Sequence, residues 1–280
     1  MSLAVPDKRT IQRVLATLFL FIVIVGTAMV PNRAVAQPVM GARPLALGQA
    51  VTALPNTPWS AFSNPAMMPF DRYVAFYGVQ NYRIPELTDM AAVVSYPLMG
   101  GGAFGGYHRY GNELYNENRI RLGYGYEWRG IRAGLVLNYR HVAFGGSYGN
   151  GGTLGLDLGV GTELYENLWF GAYANNINQP KVGGKLEVPR KLSMGFSYKI
   201  ADRALLATDL VKDVDYPLAL RSGLEIMLLD MMTARAGVTT EPTTYSFGLG
   251  IKNSFWKINF SVQHHQALSW SPGIDLQLLW

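Results

Sequence analysis

The sequence has 280 residues, of which 49% are hydrophobic and only 15% are charged, and it contains 31 Gly, 16 Tyr and no Cys. This composition excludes a disordered chain, a disulfide framework and any site that needs Cys ligands. The net charge of +5 does not indicate a nucleic-acid partner, because removing residues 1–36 leaves 20 bases against 18 acids with no basic cluster.

The N-terminal 36 residues have the three parts of a secretory signal peptide. Residues 1–13 carry three bases and one acid, residues 14–30 are apolar, and Ala-Val-Ala occupies 34–36. We therefore expect cleavage after Ala36, with Gln37 as the mature N-terminus. An uncleaved anchor is the alternative, although the apolar run is at the lower limit for a membrane span.

Residues 37–71 form a segment without regular alternation. It contains six prolines and many small residues, so it is too apolar for a free tail and too irregular to face lipid. Irregular backbone is tolerated at membrane depth only where protein or a water-filled cavity surrounds it. The interior of a barrel is therefore the expected location.

From residue 72 onward, apolar and small or polar residues alternate with a period of two. In one example, Leu192, Met194 and Phe196 alternate with Gly and Ser. Successive side chains of a strand point to opposite faces, so each segment has one apolar face and one face of Gly, Ser and charge. Few charges are available to coat a soluble sandwich, which is the alternative. The pattern favours an all-β fold, a transmembrane antiparallel β-barrel in residues 72–280.

The alternation predicts about fourteen strands, with twelve or sixteen left open. The expected strands are 72–80, 89–97, 102–110, 118–128, 131–141, 152–163, 168–176, 191–200, 204–211, 218–228, 232–239, 244–252, 255–264 and 273–280. Links after even-numbered strands are tight, whereas those after odd-numbered strands are mostly longer, as at 81–88, 142–151, 177–190 and 265–272. Short periplasmic turns and longer extracellular loops are typical of bacterial outer-membrane barrels.

The last strand supplies a further signal. Ile274, Leu276, Leu278 and Trp280 alternate up to the final residue, which is aromatic. This pattern resembles the C-terminal strand signal that the barrel-assembly machinery of Gram-negative outer membranes recognises. We therefore expect that machinery and outer-membrane lipid as partners.

Two motifs carry a family resemblance: GARPLALGQA at 41–50 and SAFSNPAM at 60–67. Together they resemble the N-terminal region of the long-chain fatty acid transporter (FadL-like) superfamily, closest to its PorV/PorQ-type branch. The resemblance implies a fourteen-stranded outer-membrane barrel with an N-terminal hatch, here residues 37–71, in the lumen. Two departures prevent transfer of the lipid-capture site: the mature chain is short, and Asn56-Thr57-Pro58 replaces the usual acidic residue.

The resemblance implies a gating role for residues of this hatch. Asn64-Pro65 would set a bend, because Pro fixes its own φ and restricts the residue before it. An ordinary turn is the alternative for that step. The candidate hatch and gating residues are Arg43, Gly48, Asn64, Pro65 and Ala66.

Arg43 is the one charged residue of the motif at 41–50. It is expected either to contact a carboxylate in the lumen or to remain a solvated charge. The candidate lumen carboxylates are Glu127, Asp157 and Glu225.

Enzyme motifs are weak in this sequence. Residues 145–149 fit G-x-S-x-G around Ser147, but they lie in a Gly-rich loop rather than in the strand–turn–helix context of a nucleophile elbow. The four His residues show no metal-ligand spacing. We expect no catalysis, no metal and no cofactor.

Three functions remain open for an exported barrel in the outer membrane of a Gram-negative-type bacterium. The first is transport of hydrophobic, fatty-acid-like small molecules past the hatch. The second is a PorV/PorQ-like role in protein secretion or surface attachment, with a secreted protein as partner. The third, an enzyme acting on lipids, would require the weak motif at Ser147.

Overall fold

The computed structural model describes residues 39–145, 149–183, 186–214 and 216–280, without the side chain of Leu186. The expected signal peptide, its cleavage point between Ala36 and Gln37, and Ser147 lie outside these ranges.

Fourteen antiparallel strands form a closed barrel, which confirms the all-β fold and the expected strand count. The barrel strands are β1 (Tyr73–Gln80), β2 (Thr88–Leu98), β3 (Gly101–Gly111), β4 (Tyr115–Trp128), β5 (Ile131–Phe144), β6 (Asn150–Tyr165), β7 (Leu168–Ala174), β10 (Lys191–Ile200), β11 (Ala204–Asp213), β12 (Leu218–Leu229), β13 (Met232–Thr240), β14 (Thr243–Lys252), β15 (Trp256–His265) and β16 (Ser269–Leu279). Between β7 and β10, β8 (Lys181–Val182) and β9 (Leu186–Glu187) form a separate two-stranded sheet. Each barrel strand pairs with its neighbour in sequence, and pairing of β1 with β16 closes the cylinder.

The two ends of the barrel differ in their connections. At one end, which we call the short-turn end, every link has two or three residues. At the other, the long-loop end, links range from two residues between β13 and β14 to sixteen between β7 and β10. Several strands extend further than predicted: β5 ends at Phe144 and β16 begins at Ser269. At the start of β16, Ser269, Ser271 and Pro272 blur the alternation, but this part of the strand still pairs with β15.

The helices are short. They are α1 (Ala42–Ala46) and the 3-10 helices Pro58–Phe62, Pro65–Met67, Asn81–Arg83 and Pro85–Leu87. None of the helices in the described ranges is long and apolar enough to cross a membrane.

The two faces of the wall differ in chemistry. Outward side chains such as Leu192 (59% exposed) and Phe247 (50% exposed) are large and apolar. Inward side chains such as Asp209 (1% exposed) and Asp275 (1% exposed) are polar and buried. Exposed apolar side chains recur on nearly every strand, far beyond the isolated patches of soluble monomers.

Residues 39–71, which we call the internal segment, lie inside the barrel and supply much of its apolar core. Trp59, Leu54 and Met67 have no exposed surface. The segment contacts walls on opposite sides of the lumen: α1 packs on β13 to β16, whereas the Pro65–Met67 turn packs on β4 to β6.

Candidate functional site

Asp209 of β11 attaches the middle of the internal segment to the wall. Its Oδ2 accepts hydrogen bonds from the backbone N–H of Val51 (2.8 Å), the backbone N–H of Thr52 (2.8 Å) and the hydroxyl of Thr52 (2.7 Å). Hydrogen bonds to an ionised acceptor are stronger than those between neutral groups. One buried carboxylate therefore satisfies two backbone donors that no regular structure would pair.

A second attachment holds the start of α1. Asp275 of β16 accepts from the backbone N–H of Ala42 at 2.7 Å and of Arg43 at 3.3 Å. The Arg43 guanidinium donates to both oxygens of Glu225, at 2.8 and 3.0 Å. Glu225 also accepts from Arg235 of β13 at 2.6 Å. Of the two expectations for Arg43, the structure shows the carboxylate contact rather than the solvated charge.

Asn64 and Pro65 form a turn that is anchored to the wall. The Asn64 amide donates to the backbone oxygens of Thr52 (2.7 Å) and Val160 (2.9 Å), and its Oδ1 accepts from the N–H of Ala66 at 3.1 Å. Asn64 thereby caps the 3-10 helix that begins at Pro65. The step is a local turn whose side chain also fixes the segment against β6.

At Gly48 the backbones of the internal segment and the wall approach each other closely. The φ of Gly48 is +61°, and its carbonyl accepts from the Thr239 hydroxyl at 2.7 Å. A Cβ placed on Gly237 of β13 would lie 2.1 Å from the Gly48 nitrogen. Both glycines are therefore needed for the two backbones to meet.

The other two predicted carboxylates pair with residues other than Arg43. Asp157 is fully buried and accepts from Arg121 (2.6 Å), the Tyr173 hydroxyl (2.9 Å) and the N–H of Asn176 (2.8 Å). Glu127 lies at the short-turn end, where it pairs with Arg132 at 2.7 Å. Asp157 therefore connects the barrel wall to the link that follows β7, and Glu127 lies at the opening of the barrel at the short-turn end.

Sequence reasoning missed several inward-facing groups. Asp209 and Asp275 lie at inward positions of their strands, so the alternation itself could have identified them. His108 of β3 forms a buried pair with Asp89 at 2.5 Å, and the Phe62 ring of the internal segment packs edge-on against it. Within the described ranges, no group of three His, Asp or Glu side chains is placed to hold a metal.

Two cavities lie on opposite sides of the internal segment. The smaller, of about 40 Å³, lies towards the long-loop end and is lined by Arg119, Arg121, Lys191 and Arg221 with Asp209. The larger, of about 300 Å³, opens at the short-turn end, and we call it the vestibule. The segment separates two polar, mostly cationic chambers.

Solved structures with a similar fold include hydrocarbon transporters and a FadL homologue. The toluene transporter TodX of Pseudomonas putida superposes with a TM-score of 0.66 at 12% identity, over 86% of this chain and 98% of that one. The monoaromatic hydrocarbon channel CymD gives 0.68 at 13% identity, over 86% and 97%. A FadL homologue of Pseudomonas aeruginosa gives 0.57 at 11% identity, over 86% and 97%. Likeness at this level of identity establishes the shared barrel fold.

No protein-family model matches the sequence, and no curated protein sequence matches it.

Proposed function

We propose that this barrel spans the outer membrane and transports hydrophobic, fatty-acid-like small molecules, with the internal segment acting as the hatch. The observation that carries the proposal is the internal segment itself. It fills the lumen of a barrel whose fold is shared with hydrocarbon channels, and localised polar contacts from Asp209, Asp275 and Glu225 attach it to the wall.

The outer surface supports a membrane location. Large apolar side chains such as Ile120, Leu122 and Phe260 point away from the lumen and are about half exposed. Such a surface is unfavourable in water and favourable against acyl chains. Export through the signal peptide and assembly into the outer membrane through the terminal strand are part of the same proposal.

The lumen favours a solute that has a polar end. Arg121, Lys191 and Arg221 line the chamber on the long-loop side of the segment. A pure hydrocarbon would gain nothing from these groups, whereas a carboxylate would form charge-assisted hydrogen bonds with a guanidinium. A fatty-acid-like amphiphile fits this lumen better than toluene does.

Uptake measurements test the proposal directly. A strain that depends on this barrel should accumulate radiolabelled oleate, and deletion of residues 37–71 should change the rate while the barrel still resists unfolding in cold SDS. The control is Gly78→Ala, because a methyl group there meets no atom of the described residues within 4 Å. Oleate accumulation that is independent of the barrel would refute transport.

A PorV/PorQ-like role in secretion or surface attachment is the second candidate. The observation that favours it is the tight lumen, whose chamber towards the long-loop end holds only about 40 Å³. Affinity purification in mild detergent followed by mass spectrometry separates the two functions. Bound lipid supports transport, whereas a stoichiometric exported protein supports secretion.

A further inference from the structure

The vestibule at the short-turn end carries far more positive than negative charge. Its lining includes the segment loop 55–58 and the ends of several strands. Among the lining residues, two are acidic, Asp202 and Glu225. The basic lining residues are Arg43, Lys199, Arg203, Arg235, Lys252 and Lys257.

Both acids already have partners. Glu225 is shared between Arg43 and Arg235, at 2.8 and 2.6 Å. Lys199 donates to Asp202 at 2.6 Å, and this hydrogen bond, followed by the charge of Lys199, lowers the pKa of Asp202. Three bases, Arg203, Lys252 and Lys257, are left without an ion pair in the described part of the chain.

Two of these bases oppose each other directly. Lys252 of β14 and Lys257 of β15 are cross-strand partners, and both side chains line the vestibule. Directly opposed residues on one face of an antiparallel pair have Cβ atoms about 5 Å apart, and like charges there destabilise the sheet. An anion held between the two ammonium groups would turn this repulsion into attraction.

A buried donor of the same cavity lacks a partner among the described residues. The side chain of Arg235 is 5% exposed, and its Nε donates to Glu225. Its Nη1 is buried and makes no hydrogen bond with any residue that the structure describes. An unsatisfied buried donor of a charged group is costly, and a guanidinium matches the two oxygens of a carboxylate or phosphate.

We propose that the vestibule is a binding site for a small organic anion, whose carboxylate or phosphate group lies between Lys252 and Lys257 and extends a second oxygen towards Arg235. A cavity of about 300 Å³ is within the range of small-molecule sites. The site concerns the short-turn mouth alone and does not depend on which solute crosses the barrel. Because Arg235 and Arg43 share Glu225, a bound anion would also compete for a contact that holds the internal segment.

Titration calorimetry on the detergent-purified chain at low ionic strength tests the site, with glutarate and inorganic phosphate as separate probes. Saturable binding of at least one probe is expected; glutarate alone assigns a carboxylate site and phosphate alone a phosphate site. The double variant Lys252→Gln/Lys257→Gln should weaken that binding at least tenfold. The control is Lys212→Gln, whose side chain lies on β11 at the other end and donates to the Tyr216 carbonyl.

A stability measurement separates binding from a structural role of the lysines. Without an anion, Lys252→Gln should raise the unfolding temperature, because it removes the repulsion with Lys257. Adding the bound probe should raise the unfolding temperature of the wild type more than that of the variant. The proposal is overturned if neither probe binds, if the double variant binds as tightly as the wild type, or if Lys252→Gln alone destabilises the barrel.

Discussion

The attachment of the internal segment at Asp209 provides a sharp quantitative test. In Asp209→Ala, the N–H groups of Val51 and Thr52 and the Thr52 hydroxyl lose their shared acceptor. We expect the segment to leave the wall far more often, while the fourteen-strand ladder stays intact. Asp209→Asn is the matched control, because its amide oxygen can still accept these hydrogen bonds.

The size of the effect follows from the three hydrogen bonds. Each hydrogen bond to a charged group contributes about 1.5–3 kcal/mol. Water from the adjacent 40 Å³ cavity would recover part of the loss. We therefore expect a net cost of about 3 kcal/mol to docking of the segment, which corresponds to a roughly hundredfold increase in its open population.

Thiol labelling can measure this open population, because the sequence contains no Cys and an introduced Cys is the single reactive thiol. Ser60 of the internal segment is fully buried, and its hydroxyl has no hydrogen-bond partner in the described part of the chain. Ser60→Cys therefore introduces a single buried thiol at little cost. The rate of its labelling by a membrane-impermeant maleimide tracks the open population when reclosing is fast. We expect about hundredfold faster labelling in Asp209→Ala and a smaller increase in Asp209→Asn, whose neutral amide oxygen accepts weaker hydrogen bonds.

Two results would refute the reasoning. Equal labelling of Asp209→Ala and the parent would show that Asp209 does not hold the segment. Labelling of Asp209→Asn as fast as that of Asp209→Ala would show that the negative charge, rather than the acceptor geometry, provides the attachment. Leu210→Ala, on the outward face of the same strand and 42% exposed in the wild type, controls for nonspecific loosening of β11.

Other predictions test different contacts. Glu225→Gln should weaken the grip on Arg43 and increase oleate uptake several-fold, because a neutral amide cannot pair with two guanidiniums; unchanged uptake would exclude this contact from gating. Gly237→Ala should expel the segment, since its Cβ would lie 2.1 Å from the Gly48 nitrogen, and limited proteolysis should then cut residues 39–71. Gly78→Ala should leave the same protease pattern unchanged. Membrane extracts should show a band that shifts on boiling in SDS; a form soluble without detergent would contradict the barrel's membrane location.

The strand pattern shows what could be predicted from sequence. The run from Leu192 to Ile200 alternates cleanly, and β10 begins and ends within one residue of its predicted bounds. At 150–152, where Gly151 and Gly152 carry no side chain to show the alternation, the predicted strand begins two residues after the observed start of β6 at Asn150. Arg43 and Glu225 were both identified as candidates, but their pairing with each other was one of several open options.

The sequence by itself determined the barrel and the orientation of its faces, because alternation is local and each strand carries its own apolar side. It indicated about fourteen strands, and the structure fixed that number. Only the tertiary structure decided which groups meet inside. Asp209 and Val51 are 158 residues apart, and Arg43 and Glu225 are 182 apart. The strand register around the closed barrel sets such contacts. The path of the internal segment, whose sequence shows no regular alternation, sets them as well. Neither is encoded in the neighbourhood of the residues concerned.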